Sequence, residues 1–103
     1  MSLSKRFLKS KPVCKVTFRL PAEAAPEAEK VTIVGEFNDW DKAATPMQKL
    51  KNGEFKLTID LETGKEYQFR YLIDDETWEN DWDADKYVPA EGSDNSVVDL
   101  LEQ

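Results

Sequence analysis

Histidine is absent from the sequence, cysteine occurs once, at Cys14, and only four of the 103 residues are glycine. Without histidine, and with its one cysteine inside a strand-like run, the chain cannot assemble a zinc site or a Ser–His or Cys–His nucleophile. A lone Cys14 forms no internal disulfide and reads as a small buried residue of an intracellular, cytoplasmic protein. The scattered glycines make no phosphate-cradling loop. No apolar run approaches the length of a membrane span, and no apolar centre of a signal peptide opens the chain. No stretch sustains a helical period.

What is there describes one soluble globular domain, because 40% hydrophobic and 34% charged residues exclude both disorder and fibrous repeats. The charge is unevenly spread. Lys5, Arg6, Lys9, Lys11, Lys15 and Arg19 open the chain with no acid among them, whereas eleven Asp and Glu follow from Asp74 onward against Lys86 alone. A net charge of −7 should repel nucleic acid and anionic membranes, so neither is expected as a partner. Residues 1–12 are set apart as a basic leader, either solvated or lying against the acidic end. Residues 13–103 form the domain.

Within that domain, apolar and polar residues alternate at strand period. Cys14, Val16, Phe18 and Leu20 share one face of a strand from Val13 to Leu20. Pro21 to Glu29 forms a loop, Lys30 to Phe37 a second strand, and residues 46–49 a short edge segment. Asn52-Gly53 marks a hairpin into Phe55, Leu57, Ile59 and Leu61. After the turn at residues 62–65, Tyr67, Phe69, Tyr71 and Ile73 point one way. Residues 80–94 read as irregular, and Asn95 to Leu101 as a last strand. Strands recurring at hairpin spacing predict an antiparallel β-sandwich with Phe18, Phe37, Phe55 and Phe69 between its sheets. Exposed edges of such sheets could pair into a homodimer.

Three tryptophans exceed what so small a core needs. Trp40 follows a strand end across Asn38-Asp39, Trp78 follows an acidic turn, and Trp82 lies in the acidic loop. Taken singly, each would usually be packing. Their polar neighbours Asn38, Arg70, Asn80 and Asn95 favour a surface role, because a flat ring covers the C–H face of a sugar while amides and guanidinium groups bond its hydroxyls. The acids invite two other readings. Asp81, Asp83 and Asp85 have calcium-loop spacing, but Lys86 stands where such a loop needs glycine and Gly92 where it needs a closing glutamate. A glycosidase pair could be drawn from Glu76, Glu79 and Asp81, yet a small sandwich with no deep pocket predicted does not support catalysis. No metal, cofactor or catalytic residue is expected.

Val31-Thr-Ile-Val-Gly-Glu-Phe-Asn-Asp-Trp40, then Asn52-Gly-Glu-Phe55 and Tyr67-Gln-Phe-Arg-Tyr-Leu-Ile-Asp74, resembles the early-set, immunoglobulin-like domains of carbohydrate-binding module family 48. That family includes the glycogen-binding module of the AMP-activated protein kinase β subunit, the N-terminal domains of isoamylases and branching enzymes, and short stand-alone bacterial members. The resemblance spans roughly residues 13–101. It implies non-catalytic binding of an α-1,4-linked glucan, glycogen or a maltooligosaccharide, with a glycan-metabolising enzyme as a further partner. By the same resemblance Trp40 and Trp78 stack on sugar and Arg70 bonds its hydroxyls, while Asn95 matches a binding-site asparagine before the last strand and Ser93 a hydroxyl residue of the same loop. Glu91 falls where the kinase module threads a leucine through the sugar, and Trp82 stands where the family has proline; both are departures. The competing class is a protein-interaction or structural domain whose sugar site has decayed.

Overall fold

The alternation read along the chain is realised as nine strands in the computed structural model, which describes residues 3–101. They are β1 (Leu3–Phe7), β2 (Val13–Leu20), β3 (Val31–Gly35), β4 (Gln48–Lys49), β5 (Phe55–Glu62), β6 (Glu66–Ile73), β7 (Thr77–Glu79), β8 (Lys86–Ala90) and β9 (Ser93–Asp99). Two antiparallel sheets result. One has the order β1-β2-β5-β4; the other has the order β3-β6-β9-β8, with β7 also paired to β6. This is the expected all-β, immunoglobulin-like sandwich.

The core lies where the inward faces meet. Cys14, Val16, Phe18 and Leu20 of β2 and Phe55 and Leu61 of β5 oppose Val31 and Ile33 of β3 and Tyr67, Phe69, Tyr71 and Ile73 of β6, all buried. Phe18 bridges the sheets, its ring edge-on to Phe69 at 5.1 Å and tilted against Phe37 at 5.8 Å. Phe37 is only half-buried, because the second strand does not reach it. β3 stops at Gly35 and Glu36–Asn38 makes a 3₁₀ turn.

Two other sequence expectations are corrected. The boundary at residue 13 fails, since Leu3–Phe7 of the supposed leader pairs along its length with β2 and buries Leu3. Met1, Ser2, Glu102 and Gln103, at the outer ends of the leader and the domain, lie outside the described residues. Lys5 secures β1 to the acidic end, pairing with the Asp85 carboxylate at 2.6 Å and donating to the Asp99 carbonyl at 2.9 Å. Residues 80–94 are not wholly irregular either: β8 forms a hairpin with β9, and Pro89 is tolerated there because β8 is an edge strand.

Two contacts hold the ends of the outer loops. At Gly35 the backbones of β3 and β6 approach so closely that an added Cβ would lie 2.6 Å from the Gln68 carbonyl oxygen and 2.8 Å from Phe69 Cβ. Asp81 is buried with its loop drawn inward. It accepts from the Tyr71 hydroxyl at 2.7 Å and from the Asp83 amide at 2.8 Å, and its own amide donates to Ser96 Oγ. Burial, then the Asp81 charge, pushes the Tyr71 hydroxyl well above the usual phenol range.

Gly35→Ala is expected to cost about 1–3 kcal/mol in urea unfolding, the range for forcing volume into a close-packed site; an unchanged midpoint would refute the steric constraint. Because the folded-state pKa of Tyr71 is raised, its contribution is complete below the ordinary phenol pKa of about 10 and is lost as pH rises beyond it. Tyr71→Phe should therefore lower stability at neutral pH by about 1–3 kcal/mol and flatten the alkaline fall in melting temperature.

Candidate functional site

Directly opposed residues of an antiparallel pair share a face, so the registers define what the outer surface of the β3-β6-β9-β8 sheet presents. Arg70 lies opposite Val34, Leu72 opposite Thr32 on one side and Trp78 on the other, and Val88 opposite Asn95. Arg70 occupies the junction on β6 where pairing to β9 ends at Phe69 and pairing to β7 begins at Tyr71. Its Nε donates to Asn95 Oδ1 at 2.5 Å, and Asn95 Nδ2 donates to Gln68 Oε1 at 2.9 Å. The amide of Asn95 thus fixes Arg70 in place. The guanidinium η nitrogens have no protein partner among the described residues.

Trp40 reaches the same surface through the turn after β3. Asn38 organises that turn: its Oδ1 accepts from the Gly35 amide at 3.1 Å, and its Nδ2 donates to the Ile33 carbonyl at 3.0 Å and Thr45 Oγ1 at 2.9 Å. The chain then reverses through two left-handed residues, Asp39 at φ 57° and Trp40 at φ 59°, and the Trp40 amide closes onto the Gly35 carbonyl at 2.9 Å. A bulky residue rarely takes this conformation, which stores on the order of 1–3 kcal/mol of strain.

Trp40, Arg70, Trp78, Ala90, Glu91 and Asn95 line one shallow pocket of about 450 Å³. Trp40 and Trp78 are 39% and 41% exposed, so each ring is anchored yet leaves a substantial part of its surface to solvent. A larger groove beside β4 and β5, of about 600 Å³ and lined by Met47 and Leu57 among others, contains no aromatic ring.

Four residues singled out in the sequence, Trp40, Arg70, Trp78 and Asn95, therefore converge, and Glu91 joins them. Others do not. Asn38 is committed to the turn; Ser93 begins β9, exposed and outside the pocket lining. Trp82, 55% exposed, donates its indole N–H to Glu79 and is also outside the lining. Asn80 bonds the Asp94 carbonyl and Ser96. The acids spaced like a calcium loop go to separate partners, Asp81 to Tyr71 and Asp85 to Lys5 and the Asp99 amide.

Two features were not foreseen. Lys42 Nζ stands 5.7 Å from the centre of the Trp78 ring. Ala90 enters the lining because of the unrecognised β8–β9 hairpin. Neither left a sequence signal, since Lys42 lies in a polar loop and β8 is interrupted by proline.

Half-exposed rings beside a fixed guanidinium suit a ligand with apolar faces and a hydroxyl rim. Comparisons with known proteins agree in kind. The chain is 50% identical over 46 residues to the 1,4-alpha-glucan branching enzyme GlgB of Photobacterium profundum, a match covering 44% of this chain and 6% of that enzyme. With GlgB of Aquifex aeolicus it shares 43% over 61 residues, 55% of this chain and 9% of the enzyme. The match thus spans less than a tenth of these relatives' length. The profile of the family described as the glycogen recognition site of AMP-activated protein kinase matches residues 23–103. The chain belongs to this family of glycogen-recognising, carbohydrate-binding domains.

Proposed function

We propose that the protein is a non-catalytic module that binds α-1,4-linked glucan by stacking glucose rings on Trp40 and Trp78. Arg70 donates to sugar hydroxyls from its η nitrogens, and Asn95 holds it in position while presenting its own edge to the pocket. The single observation that carries this reading is the convergence of these four side chains on one pocket, from β6, β7, β9 and the turn after β3. Membership of a glycogen-recognition family supports the sugar class. On this reading the domain brings a glucan-metabolising enzyme to its polymer in the cytoplasm, as the matched branching enzymes suggest. Edge strands such as β1 and β8 offer the surface for any self-association.

The rings also set the strength of binding. About 40% of a tryptophan surface is roughly 100 Å², and covering it contributes ~2.5 kcal/mol. Two rings and a few hydroxyl contacts barely exceed the cost of association, so affinity for short oligosaccharides should be weak and gain from repeated units.

Trp40→Ala and Trp78→Ala should each reduce retention on glycogen in affinity electrophoresis by about ten-fold or more, with the domain still unfolding cooperatively and losing no more than about 4 kcal/mol of unfolding free energy at these half-buried positions. Trp40→Gly should lose retention too, but at a smaller cost in stability than Trp40→Ala, since glycine relieves the left-handed backbone. Should the unaltered protein migrate unretarded through glycogen, the interaction-domain alternative takes over. Release of reducing ends from maltoheptaose would contradict the non-catalytic assignment.

A further inference from the structure

Resting on the glucan reading, we propose that Glu91 is a specificity-determining residue that makes the pocket select uncharged glucans over glucans carrying anionic groups. Arg70 and Glu91 are the charged members of the lining, and the other four residues are neutral. Neither takes part in an ion pair among the described residues. No ion pair joins them among the described residues, and both belong to the lining that a ligand would meet.

The position of the carboxylate is set by its turn. Glu91 and Gly92 form the two-residue loop of the β8–β9 hairpin, with Ala90 paired to Ser93 at its base and Gly92 at φ 80°. Pro89 stiffens the approach. Held on this short arm at the rim, Glu91 is a pure acceptor for sugar hydroxyls, as Arg70 is a pure donor.

Without Glu91, an unpaired guanidinium would make the lining cationic and receptive to phosphate or carboxylate groups on a sugar. With Glu91, the lining has no net formal charge, which favours a neutral ligand. Lys42, beside the Trp78 ring but outside the lining, shares its loop with exposed Asp39 and Asp41, so Glu91 is the anionic group of the lining itself. Like charges a few ångström apart at a wet surface cost about five-fold in affinity, and salt screens the effect.

The test is titration of the unaltered protein, Glu91→Gln and Glu91→Lys with maltoheptaose and with maltoheptaose oxidised to carboxylates at its primary hydroxyls, at low and high salt. The unaltered protein should prefer the neutral sugar by about five-fold at low salt, and by less at high salt. Read as the ratio of the two affinities within each variant, Glu91→Gln should shift the preference toward the oxidised sugar by about five-fold at low salt, and Glu91→Lys should shift it further. An equal preference in the unaltered protein and Glu91→Gln overturns the role of Glu91 while leaving the glucan reading intact. Failure of the unaltered protein both to bind maltoheptaose and to be retained on glycogen overturns the glucan reading, and this proposal with it.

Discussion

The close approach of β3 to β6 at Gly35 is the contact on which the pocket face of the sandwich depends. It brings the Gln68 carbonyl and Phe69 Cβ within 3 Å of where a side chain would begin, so the strands must meet there without one. That meeting point is also where β3 ends and the turn carrying Trp40 starts. The Gln68 amide donates to Glu36 Oε1 at 2.7 Å, tying the first residue of that turn to β6 as well. A shift of β3 relative to β6 would move Trp40 away from Arg70 and Trp78, which are positioned by β6 and its partner β7. The platform is thus a consequence of one backbone contact more than of any contact between its rings.

The same economy appears at the acidic end. Asp81 and Tyr71 bury a hydrogen-bonded pair beneath the loop that separates β7 from β8, and Tyr87 donates to the Asp81 carbonyl at 2.5 Å. The loop is acidic in composition, yet its central carboxylate faces the interior and its amide binds Ser96 of β9. This anchoring fixes where β8 begins, and so where its hairpin delivers Ala90 and Glu91 to the pocket rim. Polar groups that read as ligand contacts or metal ligands in the linear sequence are largely structural: Asn38 shapes a turn, Asn80 ties its loop to β9, and Asp85 receives Lys5.

Legibility followed periodicity. β2 was legible end to end because Cys14, Val16, Phe18 and Leu20 alternate without interruption, and β5 and β6 nearly so. β1 was obscured because Lys5 and Arg6 suggested a charged arm; contact with the acidic end, which Lys5 makes through Asp85, was among the expectations, but pairing with β2 was not. β8 was obscured by Pro89 and flanking acids, which propensity counts against a strand although an edge position tolerates them. Trp40, Arg70, Trp78 and Asn95 could be named from motif and chemistry. That Asn95 acts first upon Arg70, and that Lys42 attends Trp78, depends on registers and loop geometry that no local pattern encodes.

The left-handed backbone at Trp40 links stability to recognition. A glycine there would be more comfortable, and Asp39 beside it already occupies the same region. Holding an indole in this conformation requires compensation, and the hydrogen bonds of Asn38 together with the closure of the Trp40 amide on the Gly35 carbonyl provide it. The strain is met during folding, so on the proposed reading the backbone that carries the ring needs no reordering when a glucan arrives. On the proposed glucan reading, whose gross interaction is only several kcal/mol, that preorganisation would favour retention on a polymer. Relaxing the turn would raise the entropy of the free platform and remove that advantage, even with both tryptophans present.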